Sequence, residues 1–341
     1  IHVDSENVKL EIVLREGLSL GEVNVVRRRF GTTKLRSSAM NVDIISSAEL
    51  SRAACCNLGE SFVTNPSVDV SYSDAATGAK QIKLLGLSGT YVQMMTENIP
   101  NYRGAAAPYG LGYVPGPWMQ SIQVSKGSSS VKNGYESITG QINVEFKKPQ
   151  LPEADWVSAN LFASSTGRYE ANADATLKLS KRWSTSLLAH YENETMAHDA
   201  NHDGFADIPR VEQYNLWNRW AYMGDHYVFQ AGIKALSEWR NSGQVNHGGN
   251  PGQEFYKIGI DTRRYEAFTK NAYIFNKEKN TNLALILQGT FHNQDAVYGH
   301  KLYDVDQTNV YASLLFETEF SKRHSLSTGL SFNYDGYDQR Y

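Results

Sequence analysis

An alternation of apolar and polar side chains, with a period of two residues, runs through the second half of this 341-residue chain. In residues 169–180 every odd position carries Tyr, Ala or Leu, and every even position carries a polar or charged side chain. Because neighbouring side chains of a strand point to opposite faces, one face of this segment is apolar throughout. The alternation recurs, less regularly, at 183–192, 227–235, 283–291, 310–320 and 326–334. The pattern predicts successive antiparallel strands from about Ala154 onward.

Aromatic residues stand at the ends of these apolar faces. They are Tyr169, Trp183, Tyr191, Tyr227, Phe291, Phe320 and Tyr334. A barrel in a membrane places aromatic girdles at its two interfaces. No run approaches the ~18 to 20 apolar residues that a spanning helix needs, so a membrane crossing must use strands. The sequence therefore predicts a membrane β-barrel; a soluble β-sandwich binding module, with its apolar faces packed on each other, is an alternative.

Several functional classes find no support in the sequence. The formal net charge of −3 offers no basic field for nucleic acid. The chain has no GxSxG elbow, no GxxxxGK[ST] loop and no GxGxxG motif that opens a helix. Cys55 and Cys56 are adjacent, and an ordinary disulfide does not join trans neighbours. We expect a protein that is not an enzyme and requires no cofactor, with both cysteines as small helix residues.

The pattern of the first half predicts a compact α+β domain. A helix is expected within residues 49–62, because Leu50, Leu58 and Phe62 share one face. Strands are expected near 68–72, 81–85, 91–95, 122–125 and 140–146. Between them lies a loop rich in Gly, Pro and aromatic residues, 101–118. A loop of that length inside a compact domain usually has a function or is disordered.

Five segments of this first half resemble the plug domain of TonB-dependent outer-membrane receptors in motif, order and spacing. They are residues 58–68, 82–87, 97–100, 122–127 and 134–144, of which the last, GYESITGQINV, is the most specific. The resemblance covers about residues 22–149. Family plugs commonly carry an arginine where this chain has Leu85. The resemblance implies an α+β plug inserted in the lumen of a 22-stranded barrel in the outer membrane of a Gram-negative bacterium.

The resemblance also divides the chain. Residues 1–21 would end an N-terminal periplasmic extension, 22–39 would hold a TonB-box-like segment and linker, 40–149 would form the plug, and 150–341 the first strands of the barrel. About nine strands fit into that last part at ~9 to 11 residues each. Because nine strands are too few to enclose a plug, we expect a partial barrel that does not close. The chain would then be the front part of a longer receptor.

Such receptors import a scarce nutrient, and the TonB complex of the inner membrane pulls on the plug to release it. The resemblance therefore implies three partners: the TonB complex, outer-membrane lipid and a small nutrient ligand that can bear a metal. Iron chelates and siderophores, haem, cobalamin and other metal complexes all fit. By position, Glu22, Val23, Asn24, Val25 and Val26 correspond to the TonB box, although a plain strand of the extension fits them as well. A passive porin or a surface adhesin is the alternative function.

The resemblance also places candidate ligand contacts in the loop 101–118, at the top of the plug. They are Tyr102, Arg103, Tyr109 and Tyr113. Tyrosine offers flat apolar area and a hydroxyl, and arginine can meet a carboxylate. Packing of the plug against the barrel wall is the alternative role. Met94 and Met95 are expected in the core, because adjacent strand residues face opposite ways and at most one could meet a copper ion.

A segment between two predicted strands matches most of a calcium-binding loop. Oxygen-bearing side chains occupy loop positions 1, 3, 5 and 9, as Asp199, Asn201, Asp203 and Asp207. Phe205 supplies a backbone carbonyl at position 7, and Gly204 allows the sharp turn at position 6. Arg210 stands at position 12, where a bidentate acid is expected. The sequence predicts a calcium loop with an incomplete ligand set, against the alternative of a hydrated polar turn.

Overall fold

A computed structural model describes residues 33–34, 41–53, 56–63, 65, 68–87, 89–127, 134, 136–149, 156–245, 254–321 and 324–341. Gly31–Tyr341 form one compact unit. In the described ranges the strands form sheets of six, nine and two members. The six-stranded and two-stranded sheets belong to the first half of the chain, and the nine-stranded sheet belongs to the second.

The first half is an α+β domain, which we call the plug. Its strands are β1 (Thr33–Lys34), β2 (Asn41–Ser46), β3 (Val68–Asp74), β4 (Ala79–Leu84), β5 (Val92–Thr96), β6 (Ile99–Pro100), β7 (Met119–Lys126) and β8 (Gly140–Phe146). The larger sheet has the order β1-β2-β7-β8-β5-β6, and β3 and β4 form a separate hairpin. Strand β5 pairs in parallel with β8, and the other pairs are antiparallel. Ile122, Val124, Ile142 and Val144 of the two central strands are fully buried.

The helix of the plug is shorter than the pattern predicts. Helix α1 comprises Ser47–Arg52, and a separate 3₁₀ turn covers Glu60–Phe62. Asn57 Oδ1 accepts the N–H of Glu60 at 3.2 Å, and the Glu60 carboxylate accepts the N–H of Cys56 at 3.1 Å. Side-chain bonds of this kind compete with helical ones, so they start a new turn. Cys56 is buried, and desolvation raises the pKa of its thiol.

The second half forms a single curved sheet, which we call the wall. Its strands are β9 (Val157–Ala163), β10 (Arg168–Lys178), β11 (Trp183–Glu194), β12 (Arg210–Met223), β13 (Tyr227–Gly243), β14 (Lys257–Asn276), β15 (Thr281–Tyr298), β16 (Lys301–Ser321) and β17 (His324–Arg340). Each strand pairs antiparallel with its neighbour in sequence. Strands β9 and β17 are the two edges, and they do not pair with each other in the described sheet. The expected partial barrel is confirmed. The described helices include none long and apolar enough to cross a membrane.

The two faces of the wall follow the predicted alternation. On β11, Leu187 is 44% exposed on the outer face, whereas Leu188 is 1% exposed on the inner face against the plug. Large side chains on the outer face stay exposed at the strand ends. They include Tyr169, Trp183, Tyr227, Phe291, Phe320 and Tyr334. The outer face is therefore the apolar one, and its aromatic residues lie where a girdle is expected.

Strands β12 and β14 show the alternation less clearly in the sequence. Trp217 of β12 is buried on the inner face, and its ring contacts Phe146 of the plug edge-on, with centroids 4.6 Å apart. Phe268 of β14 also packs there, 6.3 Å from Trp217. Because these inner faces carry aromatic rings as well as polar groups, neither face of the strands is uniformly polar. A period-two pattern alone does not single them out.

The connections between wall strands differ in length at the two ends of the sheet. Short turns at 179–182, 224–226 and 277–280 join strands at one end. The opposite end has the two longest connections, 195–209 and 244–256, beside the short turns 164–167 and 299–300. Outer-membrane barrels have short periplasmic turns and longer extracellular loops. We therefore name the end with residues 195–209 the extracellular end.

Candidate functional site

A buried ion cluster fixes the plug to the wall. Glu97, which follows β5, lies 2.6 Å from the Arg219 guanidinium of β12 and 3.4 Å from Lys270 Nζ of β14. Lys270 also donates to the Glu97 carbonyl at 2.6 Å. Burial alone would raise the pKa of Glu97, but the charges of Arg219 and Lys270 outweigh it and lower the pKa to about 2. The carboxylate is therefore held ionised at the contact between plug and wall, which we call the seam.

Lysine and arginine side chains of the wall also hold the predicted apex tyrosines. Lys234 of β13 donates to the Tyr102 hydroxyl at 3.0 Å and to the Tyr113 carbonyl at 3.2 Å. The Arg240 guanidinium, also of β13, lies 4.8 Å from the centroid of the Tyr109 ring. Burial raises the pKa of the Tyr102 and Tyr113 hydroxyls, so both stay neutral. In this state, the three tyrosines anchor the plug to the wall.

Arg103, the fourth predicted apex residue, bridges plug and wall. Its guanidinium lies 2.9 Å from the Glu136 carboxylate of the plug and 2.5 Å from the Asp335 carboxylate of β17. The Arg103 side chain is 24% exposed. Two carboxylates already engage this cation. An additional carboxylate from a ligand would have to displace one of them.

An open cleft of about 780 Å³ lies beside the top of the plug and reaches β17. We call it the apex cleft; Met94, Tyr102, Arg103, Pro108 and Tyr337 are among the residues that line it. Gly104, also in its lining, has φ +61, and a Cβ at that position would clash with the Tyr337 hydroxyl. The volume is within the usual range for a small-molecule site. The cleft is the candidate ligand site of the described part.

The structure brings two of the four predicted apex residues into this cleft. Tyr102 and Arg103 line it, whereas Tyr109 lines a separate cavity of about 130 Å³ together with Arg240. Tyr113 is completely buried. Of the methionine pair, Met94 lines the cleft and Met95 is fully buried in the core, as opposite strand faces require.

Tyr337 is a residue that the sequence reasoning missed. Its hydroxyl accepts a hydrogen bond from Gln307 Nε2 at 3.1 Å, beside the plug apex. Tyr337 shares the inner face of β17 with Asp335, and Asp335 pairs with Arg103 of the plug. The sequence could have indicated Tyr337 because it is a tyrosine at an inward-facing position of a strand. Among the aromatic residues of the wall, the sequence pattern predicts a role only for those on the apolar faces.

The predicted calcium loop forms part of the connection 195–209. The Asp199 carboxylate accepts N–H groups of Asp203 at 3.1 Å and Gly204 at 2.9 Å. Asp203 accepts the N–H of Phe205 at 2.8 Å, and Asp207 accepts the N–H of Ala200 at 2.7 Å. Nowhere in the described ranges do three or more His, Cys, Asp or Glu side chains gather as a metal site. The calcium site stays a prediction. The TonB-box-like residues Glu22 to Val26 lie outside the described residues.

Comparisons with known proteins address the two halves differently. A family model described as the TonB-dependent Receptor Plug Domain matches residues 34–141. No curated protein matches the chain.

Solved structures match nearly the whole chain. The ferripyoverdine receptor of the outer membrane of Pseudomonas aeruginosa has 14% identity and a TM-score of 0.71, over 91% of this chain and 45% of that receptor. The ferric-catecholate import receptor Fiu from E. coli K12 has 16% identity and a TM-score of 0.68, over 88% and 50%. The copper transporter OprC has 12% identity and a TM-score of 0.70, over 88% and 46%.

At these identities the structures show a shared fold, and the chain spans half or less of the length of each. The family match covers the domain that fills the inner face of the wall. Residues 34–141 are therefore similar to the TonB-dependent receptor plug domain, and the described chain shares the fold of about half of these outer-membrane proteins.

Proposed function

We propose that this protein is a TonB-coupled outer-membrane receptor that imports a small, metal-bearing nutrient. The observation that carries the proposal is the seam. A plug domain covers the inner face of a membrane wall and is held there by buried ion pairs, with the apex cleft beside its top. The similar solved structures include a ferric-catecholate import receptor, a ferripyoverdine receptor and a copper transporter.

The chemistry of the seam suits a plug that must move and return. Removing a charge from water is costly, so a buried ion pair contributes far less net stability than its Coulomb attraction suggests. The ion cluster of Glu97, Arg219 and Lys270 holds the plug in one position by its geometry. When plug and wall separate in the presence of water, each charge becomes hydrated again. If the seam consisted only of apolar side chains, each separation of plug and wall would expose apolar surface to water, which is unfavourable.

Force on the plug would enter at residues 22–26. An extended segment of β-branched residues can be captured by strand addition, in which the main-chain hydrogen bonds of a partner's edge strand supply the affinity. Proline cannot donate to such a ladder. A single proline in this segment should therefore uncouple the receptor from TonB without changing the length of the chain.

The test compares Val25→Pro with Ser37→Pro, a control between β1 and β2 of the plug, in the full-length receptor. We expect Val25→Pro to leave ligand affinity unchanged and to abolish TonB-dependent uptake of a radiolabelled metal complex by cells. Ser37→Pro should keep both. Uptake by the Val25→Pro strain at the rate of the unmodified receptor would remove this segment from the mechanism. Loss of affinity in that variant would show that the segment has a structural role.

A further inference from the structure

Basic side chains gather at the end of the wall that lies opposite the extracellular end. The turns that join β10 to β11, β12 to β13 and β14 to β15 are neighbours there. Asp225 of the middle turn connects the other two, because its carboxylate lies 3.0 Å from the Arg182 guanidinium and 4.0 Å from Lys277 Nζ. We call this group of turns the basic rim. Its exposed basic residues are Lys181, Arg182, Lys277 and Lys279, and its acidic residues are Asp225 and Glu278.

A row of aromatic rings lies next to the basic rim, on the outer face of the wall. Trp183, the first residue of β11, pairs across the sheet with Tyr222, and Tyr222 pairs with Phe229. The centroid of the Trp183 ring lies 5.1 Å from that of Tyr222 and 6.1 Å from that of Phe229. Tyr227 continues the row and pairs with Tyr273 of β14. Because aromatic rings of a membrane barrel lie at the level of the lipid headgroups, the basic rim is at headgroup level as well.

The outer face carries acidic side chains at its extracellular end. Asp261 of β14 pairs across the sheet with Asp295 of β15, and Asp295 pairs with Asp304 of β16. These three carboxylates stand side by side, and like charges directly opposite each other repel. The charged neighbours of this row are Arg263, Asp306, Asp338 and Arg340. An anionic headgroup is therefore disfavoured at this end of the outer face and attracted to the basic rim at the other.

We propose that the basic rim binds anionic phospholipid of the periplasmic leaflet. The phosphate lies between Arg182 and Lys277, and an acyl chain lies along Trp183 and Phe229. A guanidinium presents several N–H donors in a fork that matches a phosphate, and the lysine ammonium adds a second positive charge. The pair of Arg182 with Asp225 is no obstacle, because its side chains are 56% and 72% exposed and such a pair is weak. The inference goes beyond the proposed function, since it concerns the lipid around the wall and not the imported nutrient.

The test is native mass spectrometry of the full-length receptor in detergent with two lipid probes. They are phosphatidylglycerol, which has a net negative charge, and phosphatidylethanolamine of the same chain length, which has none. Each basic side chain near an anionic lipid surface contributes a factor of about five in affinity. We expect the receptor to retain phosphatidylglycerol at least about fivefold more than phosphatidylethanolamine when the two are supplied equally. Equal retention, or a preference for phosphatidylethanolamine, would overturn the inference.

Variants tie this preference to the basic rim. The double variant Arg182→Gln with Lys277→Gln should bring the retention ratio of the two lipids close to one. Arg263→Gln is the matched control and should keep the ratio, because Arg263 is 57% exposed and also pairs with an aspartate, at the opposite end of the outer face. Arg182→Lys with Lys277→Arg conserves both charges and should keep most of the preference. An unchanged ratio in the glutamine double variant, or an equal fall in Arg263→Gln or in the charge-conserving variant, would contradict the assignment.

Discussion

The outer and inner faces of the wall belong to the same strands but contact different surroundings. Leu187 and Leu188 are neighbours on β11, yet one is exposed on the outer face and the other is sealed in the seam. The outer face meets a uniform medium, so any large apolar side chain satisfies it. The inner face contacts one particular surface, that of the plug. There Arg219 pairs with Glu97, and Lys234 donates a hydrogen bond to Tyr102. Contact with a uniform medium therefore produces a repeating pattern in the sequence. Contact with the plug instead depends on individual residues that form no repeat.

The largest effect is expected at the ion cluster of the seam. Glu97→Gln removes the carboxylate that pairs with Arg219 at 2.6 Å, and it leaves that guanidinium buried. Breaking a buried pair by removing one partner costs about 3–5 kcal/mol. We expect the plug of the full-length receptor to become protease-sensitive at a lower urea concentration. Glu97→Gln alone should therefore weaken the contact between plug and wall.

Glu145→Gln is the matched control for that variant. Glu145 pairs with Lys148 at 2.6 Å inside the plug and does not cross the seam in this contact. A partly exposed pair of this kind contributes about 0–1 kcal/mol. If the two variants lower the urea midpoint equally, the cross-seam cluster does not hold the plug.

The two leucines of β11 give the next largest contrast. Leu188→Ala opens a cavity against the plug core and should destabilise the full-length receptor by about 2–5 kcal/mol. Leu187→Ala removes apolar area that faces lipid, so the loss of stability should be much smaller. Unfolding in urea from lipid vesicles measures both. Equal losses, or a larger loss at Leu187, would mean that the two faces have been assigned the wrong way round.

Acid should weaken the seam through Glu97. Its pKa in the folded protein is about 2, below the ordinary value of about 4.3. The stability it contributes is therefore present above about pH 4 and is lost as pH falls toward 2. The melting temperature of the full-length receptor should exceed that of Glu97→Gln at pH 6, and the gap should narrow between about pH 4 and 2. A gap that is constant with pH would show that ionisation of Glu97 plays no part.

The extracellular loop 195–209 should give the smallest effect. If its acidic residues bind calcium with the affinity of extracellular modules, the Kd will be about 10⁻⁴ to 10⁻³ M. Asp203→Ala should abolish this binding, measured by calorimetry on the full-length receptor. Asp225→Ala, in the turn 224–226 at the opposite end, is the control and should not change it. Calcium binding that survives Asp203→Ala would place the ion elsewhere.

The predictable part of the fold follows from this contrast between faces. Strand β11, the exposed tyrosines of the outer face and the plug strand at 140–146 were visible because periodicity and a local motif specify them. Strand β12 was harder to recognise because Trp217 packs inward on the plug. At the candidate site, residues of the loop 101–118 contact the wall, which was the alternative role, and their contact with a ligand stays a prediction. The loop's pairing with Asp335 and Tyr337 was not foreseeable, because those contacts join residues more than two hundred positions apart.

Spin-label accessibility along β11 tests the lipid-facing wall most directly. Single nitroxides would replace residues 184–190 in turn, in the full-length receptor reconstituted into lipid vesicles, with oxygen and a nickel chelate as collision probes. The two-faced wall predicts high oxygen accessibility at Thr185, Leu187 and Ala189, and low accessibility to both probes at the positions between them. Oxygen accessibility that does not alternate, or that peaks at Ser186 and Leu188, would contradict a wall with lipid outside and the plug inside.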